Sequence, residues 1–487
     1  MNKFFNIGKQ KKSLLSITIL MLIAGFSLAQ TSVTAQASAT IAADNVIIRE
    51  YKYPASIISA FDTVGKYSIF SYLDSNMVSR AYGVYHCTIS DFEVSNDSVF
   101  FCGTAKDSSA IIGFFNIHDV FFGNDKFYIQ KDFDLCNTFK ARNLTKLVTY
   151  RGRDGKRHIV CVGYAKEMMR GLYHGCIVDL TSDEHGAFSS YNTGLASEEP
   201  VTDMLDITRT EDYIVTAGVT SDTDDIIAGG KICLRIFDKE NIFNTLSTSG
   251  QSFRFNGFPP MPYGSTLPSW YNKDLRAVYL RDDTIATASL ICSSDYPLKY
   301  NFLIHLAKFK LGRILHHQPN AMVASAILVQ DDNCKHIMRL NDFVYLGRER
   351  NFGVLNTGGT NSNPDSALSH FHEIDLSLTT VINSFNGFIA DDLYGDAGFN
   401  SLCHFNQGSQ YLLGGKTKFY NRRYFFQVET SGQQSRCWPQ QKTSIKEYPK
   451  GQYETKLSDI CMIGGIATPQ PFKMALINRE ISIICEQ

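Results

Sequence analysis

"VFFCGTAKDSSAIIGFFNI", residues 99–117, joins two apolar runs through a polar turn, with Gly103 near the end of the first run. Each run has strand length and carries the β-branched and aromatic residues that suit a pleated surface. The design returns as "HIVCVGYAKEMMRGLYHGCIVDL" (158–180), "YIVTAGVTSDTDDIIAGGKICLRIFD" (213–238) and "TIATASLICSSDYPLKYNFLIHLAKF" (284–309). Three further copies follow, "FVYLGRERNFGVLNTGGTNSNPDSALSHFHEIDL" (343–376), "YLLGGKTKFYNRRYFFQVET" (411–430) and "ICMIGGIATPQPFKMALINRE" (460–480). The marker positions Gly103, Gly163, Gly218, Ala288, Gly347, Gly415 and Gly465 give a mean period of about 60 residues.

Several second runs end in a residue suited to starting a turn: Asn116, Asp179, Asp238, Asp375 and Asn478. Most copies follow another strand-like run, such as "TISDFEV" (88–94), "VTDMLDIT" (201–208) or "DLRAVYL" (274–280), and leave room for a fourth. No window of helical length carries a helical period. Four antiparallel strands per copy, in seven copies, describe an all-β chain built as a β-propeller of seven four-stranded blades. Closure requires the chain ends to meet. Residues 45–86, with "NVIIREY", "YSIFSYL" and "RAYGVYH", are expected to complete the last blade together with the C-terminal "REISIICEQ"; an eighth, irregular blade is the alternative.

The N-terminus has a different composition. "MNKFFNIGKQKK" holds four lysines and no acid, "SLLSITILMLIAGFSLA" is uncharged and apolar, and Ser27-Leu28-Ala29 is a small-x-small site before Gln30. That is the order of a secretory signal peptide. The expected organisation is a signal peptide over 1–29, a small polar linker over 30–43 and one domain over 44–487. A retained membrane anchor is the alternative. The protein is therefore expected to be exported to the periplasm, the cell surface or the medium, with no integral membrane segment after cleavage. A formal net charge of −1 lacks the basic excess of a nucleic-acid binder. Of the twelve cysteines, Cys102, Cys161, Cys176 and Cys233 sit in mid-strand apolar settings. Thiols in such places behave as small buried hydrophobes, so these are expected to stay reduced.

The repeat style resembles seven-bladed propeller-like proteins exported by Bacteroidetes, over the whole mature chain. No WD, kelch or sialidase-type box accompanies it, so the resemblance implies a fold and carries no functional residue with it.

On a propeller, the connections after the second and fourth strands share one face, and loops on a rigid scaffold carry function. The stretch 250–273 holds Phe253, Phe255, Tyr263, Trp270 and Tyr271, an aromatic platform for sugar rings or a peptide. The loop 348–366 is long and Gly/Asn-rich. "KTKFYNRR" (416–423) gathers Lys416, Lys418, Tyr420, Arg422 and Arg423 as a basic patch for an anionic group. Asp222, Asp224 and Asp225, and separately Asp391, Asp392 and Asp396, are the positions where Ca²⁺ would find oxygen ligands. Neither set has EF-hand spacing, and the expectation is that no cofactor is bound. His370 and His372 alternate along one strand without a nameable third metal ligand.

These features point to a monomeric binding module for a protein or glycan. A carbohydrate-active hydrolase or lyase using carboxylates on the same face is the runner-up, and a structural component of a cell-surface assembly is the third reading. The balance is against catalysis, because G-x-S-x-G, H-E-x-x-H and paired C-x-x-C motifs are all missing. When the chain is produced in a secreting bacterial host, N-terminal sequencing of the exported protein is expected to begin at Gln30; a chain that retains residues 1–29 would contradict the signal-peptide assignment.

Overall fold

Strand-sized apolar runs dominate the chain, and in the computed structural model nearly all of them are strands. The structure describes residues 46–439 together with 452–456, 472–477 and 480–485. Within 46–439 the stretches 53–54, 63–66, 74–77, 86, 123–126, 137–138, 168–172, 183–187, 196–201, 221–230, 244–250, 256–269, 281–282, 294–301, 317, 319, 329–335, 347–350, 360–367, 379–380, 386–396, 406–409, 418–422 and 430–433 lie outside the description. Beyond Leu378 the description is of the main chain.

The described strands fall into seven consecutive runs of four, each an antiparallel meander. Unit 1 is Val46–Lys52, Ala55–Asp62, Tyr67–Leu73 and Val78–Tyr85. Unit 2 is Cys87–Ser95, Ser98–Ala105, Ala110–Asn116 and Phe127–Lys131. Unit 3 is Phe139–Arg151, Arg157–Glu167, Tyr173–Ser182 and Phe188–Leu195, with Asp134–Cys136 added at its first strand. Unit 4 is Thr202–Arg209, Tyr213–Thr220, Lys231–Asp238 and Gln251–Phe255. Unit 5 is Trp270–Leu280, Thr284–Ser293, Phe302–Lys310 and Met322–Leu328. Unit 6 is His336–Tyr345, Phe352–Gly359, Leu368–Ile374 and Val381–Phe385, and the Phe302–Ile337 pair joins it to unit 5 in one sheet. Unit 7 is Ala397–Phe405, Gln410–Thr417, Arg423–Glu429 and Gln434–Pro439.

The opening stretch explains itself in this arrangement. Side chains alternate between the two faces of a strand. Val99 and Phe101 point into an apolar cluster with Ile57 and Phe70 of unit 1. Their neighbours Phe100 and Cys102 point the other way, into a cluster with Leu144, Ile159, Cys161 and Cys176 of unit 3. A strand buried on both faces is apolar throughout, which is why "VFFC" does not alternate. Every junction from unit 1 to unit 6 has such a cluster. Val160, Val162 and Ile177 meet Ile214 and Phe237; Val215 and Leu234 meet Ile285 and Phe309; Leu290 and Leu306 meet Phe352 and Val354. The core therefore lies between sheets. Cys102, Cys161, Cys176 and Cys233 are buried and unpaired within it, and burial pushes the Cys176 thiol up to about 12 and that of Cys233 to about 11.

The first strand of each unit touches the first strand of the next. The first strand of unit 7 touches that of unit 1, so these contacts form a closed cycle. Two hydrogen bonds fix the relative direction of neighbouring first strands. Asp91 Oδ2 accepts from Leu147 N at 3.3 Å, and Glu93 Oε2 accepts from Thr149 N at 2.6 Å. Both numbers rise together, so the two strands run the same way and their equivalent ends lie together.

Three expectations need correction, and one lies mostly outside the described residues. Residues 46–85 do not complete another unit; they form a whole meander, and Gln452–Lys456 adds a fifth strand at its outer edge. Of the seventh copy, 460–471 lies outside the described residues, and Phe472–Ile477 pairs in a hairpin with Glu480–Cys485. In the fifth copy the run ending at Gly347 is the first strand of unit 6, and the second strand is Phe352–Gly359, inside the stretch read as the loop 348–366. Asp179 starts no turn: its strand continues to Ser182, and its carboxylate accepts from His158. Asn116 and Asp238 do start turns, accepting from His118 N at 2.9 Å and Glu240 N at 2.8 Å.

The marker glycines have a steric origin. In units 2, 3 and 4 the first strand carries a bulge, and the residue just before it faces Gly103, Gly163 or Gly218. A bulge brings extra main chain toward the partner strand. A Cβ on Gly103 would sit 2.0 Å from Thr88 O, and one on Gly163 would sit 2.0 Å from Asn143 O. Gly155, at φ +78°, occupies a tight turn with open space around it. Gly103→Ala and Gly163→Ala are each expected to cost at least about 2 kcal/mol of stability, because the obstruction is backbone. Gly155→Ala is expected to cost about 1 kcal/mol, for left-handed backbone alone. Urea denaturation of the three variants checks the ranking.

Candidate functional site

The first strands bring charged residues together where seven apolar edges might have been expected. In units 2, 4, 5 and 6 the residue that resumes pairing after the bulge is aspartate: Asp91, Asp206, Asp274 and Asp342. Three of them accept from the main-chain N–H of the following residue, Asp206 from Ile207 at 2.9 Å, Asp274 from Leu275 at 2.8 Å and Asp342 from Phe343 at 3.0 Å. A bulge removes ladder partners, and a buried N–H left without one is costly, so a short carboxylate at this position satisfies it.

The same carboxylates reach neighbouring units. Asp206 Oδ2 accepts from Ala277 N of unit 5 at 3.1 Å. Asp91 pairs with Arg49 of unit 1 at 2.7 Å and lies 3.7 Å from Lys146 of unit 3, the residue that stands after the bulge there. Arg276 lies 3.0 Å from Asp274. Burial works against the Arg276 charge, but the carboxylates of Asp274, Asp206, Asp342 and Asp91 raise its pKa overall. Asp206 is raised by burial, with Lys146 and Arg276 opposing. Glu93 is likewise raised by burial, with Arg209 at 3.8 Å opposing. The result is a belt of alternating sign along the first strands, committed to holding the units together.

A second polar group sits at the turn joining the first two strands of unit 3. His158 Nδ1 lies 2.8 Å from Asp179 Oδ2 and Nε2 lies 3.4 Å from Asp154 Oδ1. Its ring stacks on Tyr150, with centroids 4.9 Å apart and planes at 4°. The Tyr150 hydroxyl donates to Lys239 O of unit 4 at 2.6 Å. Burial works to lower the His158 pKa, but hydrogen bonds and charge from Asp179 and Asp154 outweigh it and raise the value. No nucleophile stands within hydrogen-bond reach of this histidine among the described contacts.

Only part of the set of residues singled out in the sequence lies among the described residues. Trp270 and Tyr271 are strand residues rather than loop, opposite Ser293 and Cys292, because unit 5 starts its first strand there; Phe253 and Phe255 likewise belong to the last strand of unit 4. The connection between them shrinks to 256–269, and Tyr263 lies in it, outside the described residues. Register places Lys416 opposite Arg423 at the mouth of a hairpin, while Lys418, Tyr420 and Arg422 fall in 418–422, outside the described residues. Asp222, Asp224 and Asp225 fall in 221–230, and Asp391, Asp392 and Asp396 in 386–396, also outside them. In chain order the stretches 221–230 and 418–422 follow second strands, and 256–269 and 386–396 follow fourth strands. His370 and His372 are buried in the third strand of unit 6, and no cluster of three metal-ligating side chains occurs among the described residues.

Sequence reasoning passed over the belt aspartates. A signal for them existed: "SDF", "LDI", "KDL" and "NDF" place Asp before an apolar residue in four first strands, and Asp91 and Asp206 each stand twelve positions ahead of a marker glycine, 91 to 103 and 206 to 218.

No protein-family model matches the chain, and no curated protein matches it in sequence. Solved structures that are similar include a prolyl endopeptidase, at 8% identity and a TM-score of 0.45 over 84% of this chain and 51% of that one. They also include Kuenenia stuttgartiensis hydrazine synthase, at 11% identity and a TM-score of 0.47 over 77% and 93% of the two chains. A third is Drosophila semaphorin 2a, at 8% identity and a TM-score of 0.41 over 79% and 75%. The chain spans about half the length of the prolyl endopeptidase it matches. Likeness at these values carries nothing about what this chain binds or does.

The raised His158 pKa has a testable sign. Its stabilising bonds to Asp179 and Asp154 are complete below the unfolded histidine value of about 6.5 and are lost as pH rises through the higher folded value. The stability difference between the native chain and His158→Gln is therefore expected to be largest near pH 5.5 and to shrink by pH 9, measured by urea denaturation. A difference that grows with pH would contradict the Asp–His–Asp arrangement.

Proposed function

We propose that this chain is an exported seven-bladed β-propeller that serves as a binding module for a protein or glycan. The observation that carries the reading is the closed cycle of first-strand contacts around seven four-strand units. In it, each unit is a blade, and the belt of Asp91, Asp206, Asp274, Asp342, Arg49, Lys146 and Arg276 lies toward the axis. The propeller domain runs over 44–487, behind a signal peptide over 1–29 and a linker over 30–43. Among the described residues no helix is long and apolar enough to cross a membrane.

The binding face we assign is the end that carries the long connections. Strand order supports it. The second-to-third connections and the unit-to-unit connections leave the same end of every meander, and the first strands of units 2 and 3 run the same way. That end gathers Trp270, Tyr271 and Tyr263 with the basic group Lys416, Lys418, Arg422 and Arg423 around Tyr420. Aromatic and Arg residues are the types that dominate recognition surfaces. Asp222, Asp224, Asp225, Asp391, Asp392 and Asp396 share that end, where they would supply oxygen ligands to Ca²⁺ or the carboxylates of the hydrolase or lyase alternative.

A thermal-shift screen of the mature chain against glycans and anionic fragments, followed by pull-down with surface proteins, tests the assignment. Binding to the native state raises stability by mass action. The partner found is expected to lose at least about tenfold in affinity with a combined Lys416→Ala, Arg422→Ala and Arg423→Ala variant or with Trp270→Ala, about 1.4 kcal/mol per tenfold. Turnover of a glycan that stops with Asp391→Asn or Asp222→Asn would instead establish the enzyme.

A further inference from the structure

At the hairpin end of units 3 and 4, three short turns border a solvent-open cavity of about 450 Å³. Its walls are the first-to-second turn of unit 3, the first-to-second turn of unit 4 and the start of the connection after the third strand of unit 4. Arg151, Arg153 and Lys239 line it together with Asp212, Asp238, Glu240 and Tyr213.

The walls are held independently of any occupant. Within unit 3, Gly152 N donates to Lys156 O at 2.9 Å and Lys156 N to Asp154 Oδ1 at 2.9 Å. Within unit 4, Tyr213 N donates to Thr210 Oγ1 at 2.9 Å, and Lys239 N to Asp212 O at 2.9 Å, which ties two walls together. Across the junction, Arg153 N donates to Glu240 Oε2 at 3.0 Å and the Tyr150 hydroxyl to Lys239 O at 2.6 Å. Gly152 closes the floor over the histidine: a Cβ there would lie 2.6 Å from His158 Nε2 and 2.7 Å from Asp154 Oδ1. A cavity fixed in this way loses little freedom when it is filled.

Its chemistry narrows the occupant. The Arg153 guanidinium and the Asp212 carboxylate make no hydrogen bond or ion pair among the described residues, so they remain available. Three cationic and three anionic side chains face the same space. A multiply charged anion would meet Asp212, Asp238 and Glu240; a cation would meet Arg151, Arg153 and Lys239. A neutral molecule dense in hydroxyl groups uses both signs, donating to carboxylates and accepting from guanidinium and ammonium groups. The volume lies within the usual range for small-molecule sites, about 300–1,000 Å³.

We propose that this cavity binds a neutral saccharide of one or two rings through vicinal hydroxyls, with Asp212 accepting and Arg153 donating. The site is separate from the assigned loop-rich face and stands or falls independently of it. Saturation-transfer NMR and calorimetry with maltose, cellobiose and chitobiose on the mature chain provide the test. At least one of the three is expected to bind, with affinity reduced tenfold or more in Arg153→Ala and in Asp212→Ala. Those side chains hold nothing else together, so both variants should keep the native melting temperature. Val323→Ala, an exposed position on the last strand of unit 5 away from both sites, should bind these probes as the native chain does. Equal binding by native chain and both cavity variants would overturn the proposal, as would no binding by any of the three probes. Neither result bears on a partner captured through Lys416, Arg422 and Arg423.

Discussion

Burial on both faces of the central strands of units 2 to 5 is the constraint from which the rest of this structure follows. Val99 and Phe101 need one neighbouring sheet, and Phe100 and Cys102 need another on the opposite side. A row of such sheets would leave an apolar face bare at each end. In the proposed propeller, the contact between the first strands of units 1 and 7 removes both ends at once. Each large side chain in these junctions is worth several kcal/mol by truncation, on the order of 3–5 for a phenylalanine. No unit can bury its own faces, so none is expected to be stable alone.

The price of bringing the first strands together is a set of interrupted ladders. Their bulges strip main-chain N–H groups of partners and press main chain against the second strand. Two residue types answer these two problems. Glycine at 103 and 163 accepts the close approach that any Cβ would prevent. Aspartate at 206, 274 and 342 takes the stranded N–H, and at 91 and 206 it also reaches the neighbouring unit. Burying these carboxylates is unfavourable by itself, as the raised pKa of Asp206 records. Lys146, Arg49 and Arg276 offset that cost, and removal of one member would leave a charge without its complement.

Much of this organisation was legible in the chain. The repeat was visible because strands buried on both faces read as unbroken apolar runs, and the bulge glycines marked the same place in successive copies. Register was not. Gly347 resembled a marker because a short apolar run precedes it, yet the bulge of unit 6 faces Asn356, a residue with no distinctive signature. Ala288 failed in the same way, since the bulge of unit 5 faces Ile291. The first unit was misjudged because its "SIISAFD" and "YSIFSYL" runs lack a glycine near the end of the second strand. The belt was missed for another reason. A single Asp inside a strand looks like a solvated residue until the next sheet covers it. The hairpin-end cavity was equally invisible, because Arg153, Asp212 and Glu240 come from three separate turns that only tertiary contact unites.

Closure of seven units is the claim on which the proposed propeller, its axis and its two faces all depend. Cryo-electron microscopy of the mature chain, classified for views along the proposed axis, measures it most directly. The account predicts averages with seven lobes around a central channel, the lobe for residues 46–85 standing between those of units 2 and 7. Six or eight lobes, or an open arc with units 1 and 7 apart, would contradict it.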